Sequence, residues 1–248
     1  MRLTVVLVRA RDPNNVGAVA RAMYDFGFRD LRLASEYRVP LERARSAIDA
    51  SSVLEGVREY ASVAEAVADC TLVVGTTAVG LRKREHSLYS LVEASVMLRA
   101  EIASSEGRVA LLFGSEKTGL SNEELSHCHW LLTIPMHQTA GMRHASMNLG
   151  QAVAVCLYEL VRSDEPLAPQ DVAQGASAAD LERLTRLVIE VMAASEYSHR
   201  HPANFDEVQV RRLVRQMGLD RSHALAWTGI LRQVLWKLRI SEPTDHDL

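Results

Sequence analysis

The sequence predicts an α/β domain on a parallel sheet followed by a small helical extension, and three observations carry that prediction. Short β-branched apolar runs alternate with segments of helical periodicity. The runs give way to loops carrying Gly or Pro. After residue 162 the alternation stops, and a stretch carrying Pro166, Pro169, Gln170, Gln174 and Gly175 leads into segments that are helical only.

Taken in order, Leu3 to Val8 is a buried strand, and a polar loop from Arg11 to Asn15 follows, with Pro13 blocking helix continuation. Ala18, Arg21, Ala22 and Asp25 keep helical spacing until Gly27, a C-cap, and Leu31 with Leu33 restart a strand. A helix from Ser62 to Ala68 precedes the strand Thr71 to Val74, after which Gly75 opens a polar loop through Arg84. Another helix spans Leu91 to Ser104, and core strands run Val109 to Phe113, ending in Gly114, and Leu131 to Ile134, ending in Pro135. The expected division is an α/β domain at 1–162, a linker at 163–179, helices over 180–240 and a polar tail at 241–248. In the extension Leu181, Leu184, Leu187, Val188 and Val191 repeat at helical spacing, with two further helices at Val208 to Met217 and Ala224 to Leu238. Ligands of such a sheet gather where loops leave the carboxyl ends of the strands.

Composition narrows the partners. No apolar run is long enough to cross a bilayer and no secretory n-region precedes the first strand, so a cytoplasmic protein without a membrane partner is expected. Cys70, Cys128 and Cys156 are odd in number and never spaced as C-x-x-C, which points to reduced thiols rather than disulfides or a thiolate metal site. A net charge of −3 argues against non-specific coating of nucleic acid, although basic groups occur at Arg9 with Arg11, at Arg82, Lys83 and Arg84, and at Arg211, Arg212 and Arg215. His127, Cys128 and His129 raise a zinc alternative, weakened because no further Cys or His cluster completes a shell; no metal is expected. His199 and His201 are assigned to a loop before a helix at Asn204.

Three loops carry the chemistry. In the first, Asp12 to Gly17, a turn with an Asx cap is the structural account; the functional one is that Gly17 allows close approach, Asn15 both donates and accepts, and Arg21 points back to the helix start, where an anionic phosphate would sit well. The second, Gly114 to Ser121, fails as a Walker loop because Leu120 stands where the lysine is needed, and no strand-to-helix turn carries a G-x-G-x-x-G fingerprint. Ser121 with Glu124 forms a capping box, which leaves Gly114, Glu116 and Gly119 unexplained. The third runs from Ile134, Pro135 and Met136 through Gly141 to Ala145, Ser146, Met147 and Asn148, with Ser146 as the cap of a following helix. Convergence of all three at one rim of the sheet is the informative expectation.

These segments resemble the three motifs of the SpoU branch of the SPOUT methyltransferases: Asn15-x-Gly17-x-x-x-Arg21, then Phe113-Gly114-x-Glu116-x-x-Gly119-Leu120-Ser121, then Ile134-Pro135-Met136 leading to Ser146-Met147-Asn148. The resemblance extends from Leu3 to Val161 and is closest to the TrmJ subgroup through Ala18 to Met23, Leu72 to Ala78 and Asn122 to Cys128, with His201-Pro202 and Arg211-Arg212-Leu213 also similar. It implies a carboxyl-terminal trefoil knot, an exception to the rule that chains avoid threading. It implies S-adenosylmethionine held bent among the knot loops at Thr76, Thr77, Ala78, Gly114, Ile134, Gly141, Ala145, Ser146 and Met147, and released as S-adenosylhomocysteine. A homodimer is implied, with the RNA site completed across the interface.

The same resemblance assigns Arg21 to the reacting ribose, with Asn15, Glu116, Ser146 and Asn148 around it. A guanidinium, with a pKa above about 12, positions phosphate and alkoxide better than it serves as a base. The implied acceptor is a tRNA anticodon-loop pyrimidine of the position-32 type, and RNA rather than DNA because DNA lacks the 2'-oxygen. Two departures bear on substrate choice: Met147 replaces the usual Leu, and Met136 to His144 is longer than in the nearest subgroup, placing His137, Arg143 and His144 as RNA contacts or as unengaged loop residues. The alternatives are a SpoU-type ribosomal RNA methyltransferase and a non-catalytic RNA-binding SPOUT protein; retention of Arg21 and Asn148 favours catalysis over the latter.

Overall fold

The computed structural model describes residues 2–44, 51–78, 86–104, 107–137, 147–162, 175–202 and 206–241. Its centre is a seven-stranded, all-parallel sheet made of β1 (Leu3–Val8), β2 (Asp30–Ala34), β3 (Arg58–Tyr60), β4 (Leu72–Thr76), β5 (Leu88–Ser90), β6 (Val109–Phe113) and β7 (Trp130–Thr133), in the order β3-β2-β1-β6-β4-β7-β5. The core strands are buried on both faces, as their unbroken apolar runs require. β3 and β5 lie at the two edges, are only three residues long and lack such runs, so the sequence reading passes over them.

Alternation along the strands divides the core in two. Leu3, Val5, Leu7, Leu111 and Phe113 face helices α1 (Pro13–Asp25), α2 (Ser51–Glu55), α4 (Leu91–Ala103) and α6 (Leu149–Val161). Val6, Val8, Ala110 and Leu112 face α3 (Val63–Ala66) and α5 (Asn122–Ser126) on the other side. On that second face the buried Arg32 donates to the Asp30 and Asp69 carboxylates and to the Ala66 carbonyl, so a charge inside the sheet is fully partnered.

Two helix starts differ from the sequence reading. Pro13 opens α1 rather than blocking it, because the N–H missing from proline is one the first turn leaves unpaired in any case. The Asp12 carboxylate caps the helix by accepting from the Asn14 N–H at 2.9 Å, which places Asn15 in the first helical turn rather than in a loop. Likewise α6 is capped by Asn148, not Ser146. At the other end of α1 the chain turns as expected around Gly27, whose N–H reaches the Tyr24 carbonyl while that of Phe28 reaches Met23.

The carboxyl-terminal helices are α7 (Ala178–Ala194), α8 (Tyr197–Arg200), α9 (Glu207–Gln216) and α10 (Arg221–Ser241). They form a small core around Leu181, Leu184, Val214 and Ala224, and they dock on the second face: the Ala178 and Ala179 N–H groups donate to the Cys70 and Ala68 carbonyls at 2.8 and 3.0 Å. His199 lies on α8 rather than in a loop, and Asn204 lies outside the described residues.

The basic group Arg211 and Arg215 serves this docking. Arg211 is buried, donating through Nε to Glu182 at 3.0 Å and through Nη1 to the Ser126 hydroxyl at 3.1 Å, with Glu207 as a further partner. Burial pushes the Arg215 guanidinium down to about 10 despite Glu182 nearby, and its Nη2 donates to the Ala178 carbonyl. Neither side chain is presented to a phosphate. Arg211→Ala should cost on the order of 3 kcal/mol in urea denaturation, because it leaves Glu182 buried beside only the more distant Arg215 and His127. Paired replacement, Arg211→Met with Glu182→Gln, should recover most of that loss.

Candidate active site

In a parallel sheet every strand ends on the same rim, and here the order runs outward in opposite directions from the adjacent pair β1 and β6. The connection after β1 and the loop after β6 therefore lie beside each other at that rim. Between them the Asn15 side chain, on the first turn of α1, donates through Nδ2 to Glu116 Oε1 at 2.9 Å. Its Oδ1 accepts from Asn148 Nδ2 at 3.1 Å, and Asn148 Oδ1 in turn accepts the Gly150 N–H at 3.0 Å as the cap of α6.

Chemistry fixes the direction of this chain of bonds. A carboxylate only accepts, so the Asn15 NH2 must face Glu116; its carbonyl then faces Asn148, which must present its own NH2 there and its oxygen to the helix start. Three residues from three distant segments are thereby joined in one orientation. The sequence reading brings the three together, and the structure supplies the order of the bonds.

The loop after β6 explains the two glycines the sequence left open. Ser115 and Gly119 form an isolated antiparallel bridge, with the Gly119 N–H on the Ser115 carbonyl at 2.9 Å and the Ser115 and Thr118 hydroxyls 2.9 Å apart. The loop folds back so closely that a Cβ on Gly114 would lie 2.1 Å from the Gly119 carbonyl carbon. Gly119 has φ +65°, in the region where glycine alone is unstrained. Beyond it, the expected capping box of Ser121 and Glu124 is present in both directions.

Further along the rim, Thr76 spends its hydroxyl on the Leu112 carbonyl at 2.9 Å, joining β4 to β6. The Thr77 N–H extends the ladder to Leu132 at 3.0 Å, and its hydroxyl bonds the exposed Ala78 carbonyl. Ile134 and Met147 are half-buried. Thr133, which sequence reasoning did not single out, ends β7 with a buried hydroxyl oxygen that has no partner among the described residues; its signal in the sequence is a hydroxyl residue closing an apolar strand. Arg21 departs from its expected direction: its Nε pairs with the Asp25 carboxylate at 3.2 and 3.3 Å, one turn toward the end of α1 rather than back toward Asn15. Gly141, Ala145 and Ser146, with Arg143 and His144, lie outside the described residues.

The zinc alternative finds no geometry. His127 meets Glu123 at 3.1 Å, the Cys128 thiol lies against the Glu124 carbonyl, and His129 Nδ1 accepts the Val73 N–H at 3.1 Å, its ring pushed down to about 3 by burial. Among the described residues no group of three or more side chains could hold a metal ion.

A glycine-tightened loop hydrogen-bonded to Asn15, which is itself held by Asn148, stands at the rim of a parallel sheet. The SpoU rRNA Methylase family model matches residues 2–158, and the chain belongs to that family of methyltransferases. Within it the similarity to TrmJ proteins runs nearly end to end. The tRNA (cytidine-2'-O-)-methyltransferase TrmJ of Methanocaldococcus jannaschii is 30% identical over 228 residues, 91% of this chain and 96% of that protein. The tRNA (cytidine/uridine-2'-O-)-methyltransferase TrmJ of Sodalis glossinidius is 31% identical over 245 residues, covering 94% and 91%. The crystal structure of TrmJ from Z. mobilis ZM4 superposes with a TM-score of 0.79 at 27% identity, covering 93% of this chain and 98% of that one.

Asn148 has two separable roles. Asn148→Ala should lower stability by about 1 kcal/mol in chemical denaturation through loss of the cap. Asn148→Asp should keep the cap, since a carboxylate accepts the Gly150 N–H, yet cannot donate to Asn15, so it should separate an intact fold from a broken link to Glu116.

Proposed function

We propose that this chain transfers a methyl group from S-adenosylmethionine to the ribose 2'-hydroxyl of a pyrimidine in the anticodon loop of tRNA, at a position of the 32 type. The observation that carries the reading is the bonding of Asn15, Glu116 and Asn148, one from each of the three motif segments, at a single rim of the sheet. Similarity to TrmJ proteins along nearly the whole chain supports tRNA as the substrate.

The described residues fit the methyl donor. The Thr133 hydroxyl is buried without a partner among the described residues, Gly114 adds no side chain to the rim, and Glu116 brings negative charge that suits a sulfonium. The donor, when bound, supplies a methyl group activated by the adjacent positive sulfur. Thr76, Thr77, Ala78, Gly114, Ile134 and Met147 are the described residues assigned to hold it, joined in this reading by Gly141, Ala145 and Ser146. Asn15 and Asn148, fixed in direction by Glu116 and the start of α6, orient the polar side of the site, so that little reorganisation is needed as charge develops. Arg21 exchanges Asp25 for an RNA phosphate or the developing alkoxide, remaining charged throughout.

The reading includes a trefoil knot, a catalytic domain at 1–162, a linker at 163–179, an extension at 180–240, a tail at 241–248 and a cytoplasmic location; among the described residues no helix is long and apolar enough to cross a membrane. It also includes a homodimer. Tyr24, Val92, Val96, Val155 and Tyr158 stand exposed on α1, α4 and α6, an apolar face that a second copy would cover. Tyr158→Glu should shift the protein to monomer in sedimentation and abolish methyl transfer with it.

Labelled S-adenosylmethionine offered with separated tRNA and ribosomal RNA tests the activity, followed by mapping of the methylated ribose. Label confined to tRNA at an anticodon-loop pyrimidine is expected, and mapping separates position 32 from its neighbours. Label in ribosomal RNA alone would replace this reading with the alternative that the family's own description favours. Arg21→Lys should lose RNA binding and most methyl transfer; near-normal transfer at neutral pH would exclude a bidentate guanidinium clamp.

A further inference from the structure

We infer that Arg9 is a positioning residue that sets the 114–120 loop, and with it Glu116, at the rim where the paired strands β1 and β6 end. The inference rests on the methyltransferase reading for its catalytic consequence, and on geometry alone for the tether.

Arg9 directly follows β1 with φ +54°, a left-handed conformation that a side chain other than glycine adopts only under constraint. The constraint is visible on both sides of the residue. Its N–H donates to the Ala34 carbonyl at 2.9 Å, and its carbonyl accepts the Tyr37 hydroxyl at 2.9 Å. Glycine would take this backbone without strain, so the arginine side chain needs its own account.

That side chain reaches across the sheet rim. Nε donates to Glu124 Oε1 at 2.5 Å and Nη2 to Oε2 at 3.0 Å, a two-pronged pair with a carboxylate that is 6% exposed. The same Nη2 donates to the Gly119 carbonyl at 3.0 Å. Glu124 Oε2 also accepts the Ser121 N–H at 2.6 Å, so the carboxylate that closes the capping box is the one Arg9 grips. Gly119 is the residue against which Gly114 packs. The loop is thus tied twice, by Arg9 just after β1 at its far end and by Asn15 on the first turn of α1 through Glu116 in its middle.

A purely structural ion pair would explain Glu124 but not the bond to Gly119. The two accounts separate in a double variant, Arg9→Met with Glu124→Gln. Glutamine keeps the capping box and removes the unpaired buried charge that Arg9→Met alone would create, while nothing then reaches the Gly119 carbonyl.

The experiment compares wild type, Arg9→Lys and the double variant in four readouts: thermal melting, S-adenosylhomocysteine affinity by calorimetry, hydrogen exchange of the 114–121 peptide, and kcat with separate KM values for S-adenosylmethionine and tRNA. In the double variant we expect melting within a few degrees of wild type, faster exchange in that peptide, and on the order of tenfold weaker affinity for S-adenosylhomocysteine. The KM for tRNA should not change, and Arg9→Lys should fall between, since an ammonium cannot span both partners. Wild-type exchange and affinity in the double variant would overturn the inference, as would a rise in the KM for tRNA alone, which would make Arg9 an RNA contact. A wild-type protein that methylates no RNA would sink the enzymatic reading, leaving exchange to decide the tether.

Discussion

Parallel pairing is the constraint on which the rest of the molecule depends. Because all seven strands point the same way, the segments following β1, β6 and β7 must emerge on one rim, although Asn15 on the first lies 101 residues before Glu116 and 133 before Asn148. Proximity alone would leave three loops free to move separately. The asparagine amides remove that freedom: each has one polar end fixed by a partner that can only accept or only donate, so orientation propagates from Glu116 to the first turn of α6 without an alternative arrangement.

Features that depend on local chemistry were legible in the sequence. The buried strands β1 and β6, the turn at Gly27 and the Ser121–Glu124 capping box follow from apolar runs and short-range hydrogen bonding, and all are present. Features set by tertiary surroundings were not. β3 and β5 exist because a neighbouring strand offers them a ladder, and their own residues carry no apolar pattern. Pro13 reads as a breaker and acts as a first helical residue, a distinction that rests on where the cap falls. The reason for Gly114 becomes visible only once Gly119 lies against it.

Arginine shows most clearly how far residue type underdetermines role. Arg32 neutralises carboxylates within the sheet, Arg211 and Arg215 fasten the terminal helices, Arg9 spans the rim, and Arg21 stands half-exposed beside Asp25. Grouping such residues by sequence proximity suggests basic patches; their burial and partners assign them to separate tasks. The net charge of −3 does not tell where the basic side chains lie: Arg32, Arg211 and Arg215 are buried beside carboxylates.

The docking of α7 and α9 has a consequence for modular engineering. Ala178 and Ala179 cap carbonyls at Cys70 and Ala68, and Arg211 reaches Ser126 at the end of the same short helix that begins at the Ser121 cap. Chimaeras that graft another relative's terminal helices onto residues 1–162 therefore have to carry over the matching faces of α3 and α5 as well. The seam between the two parts is woven from main chain and buried charge, and a cut in the intervening segment does not divide it.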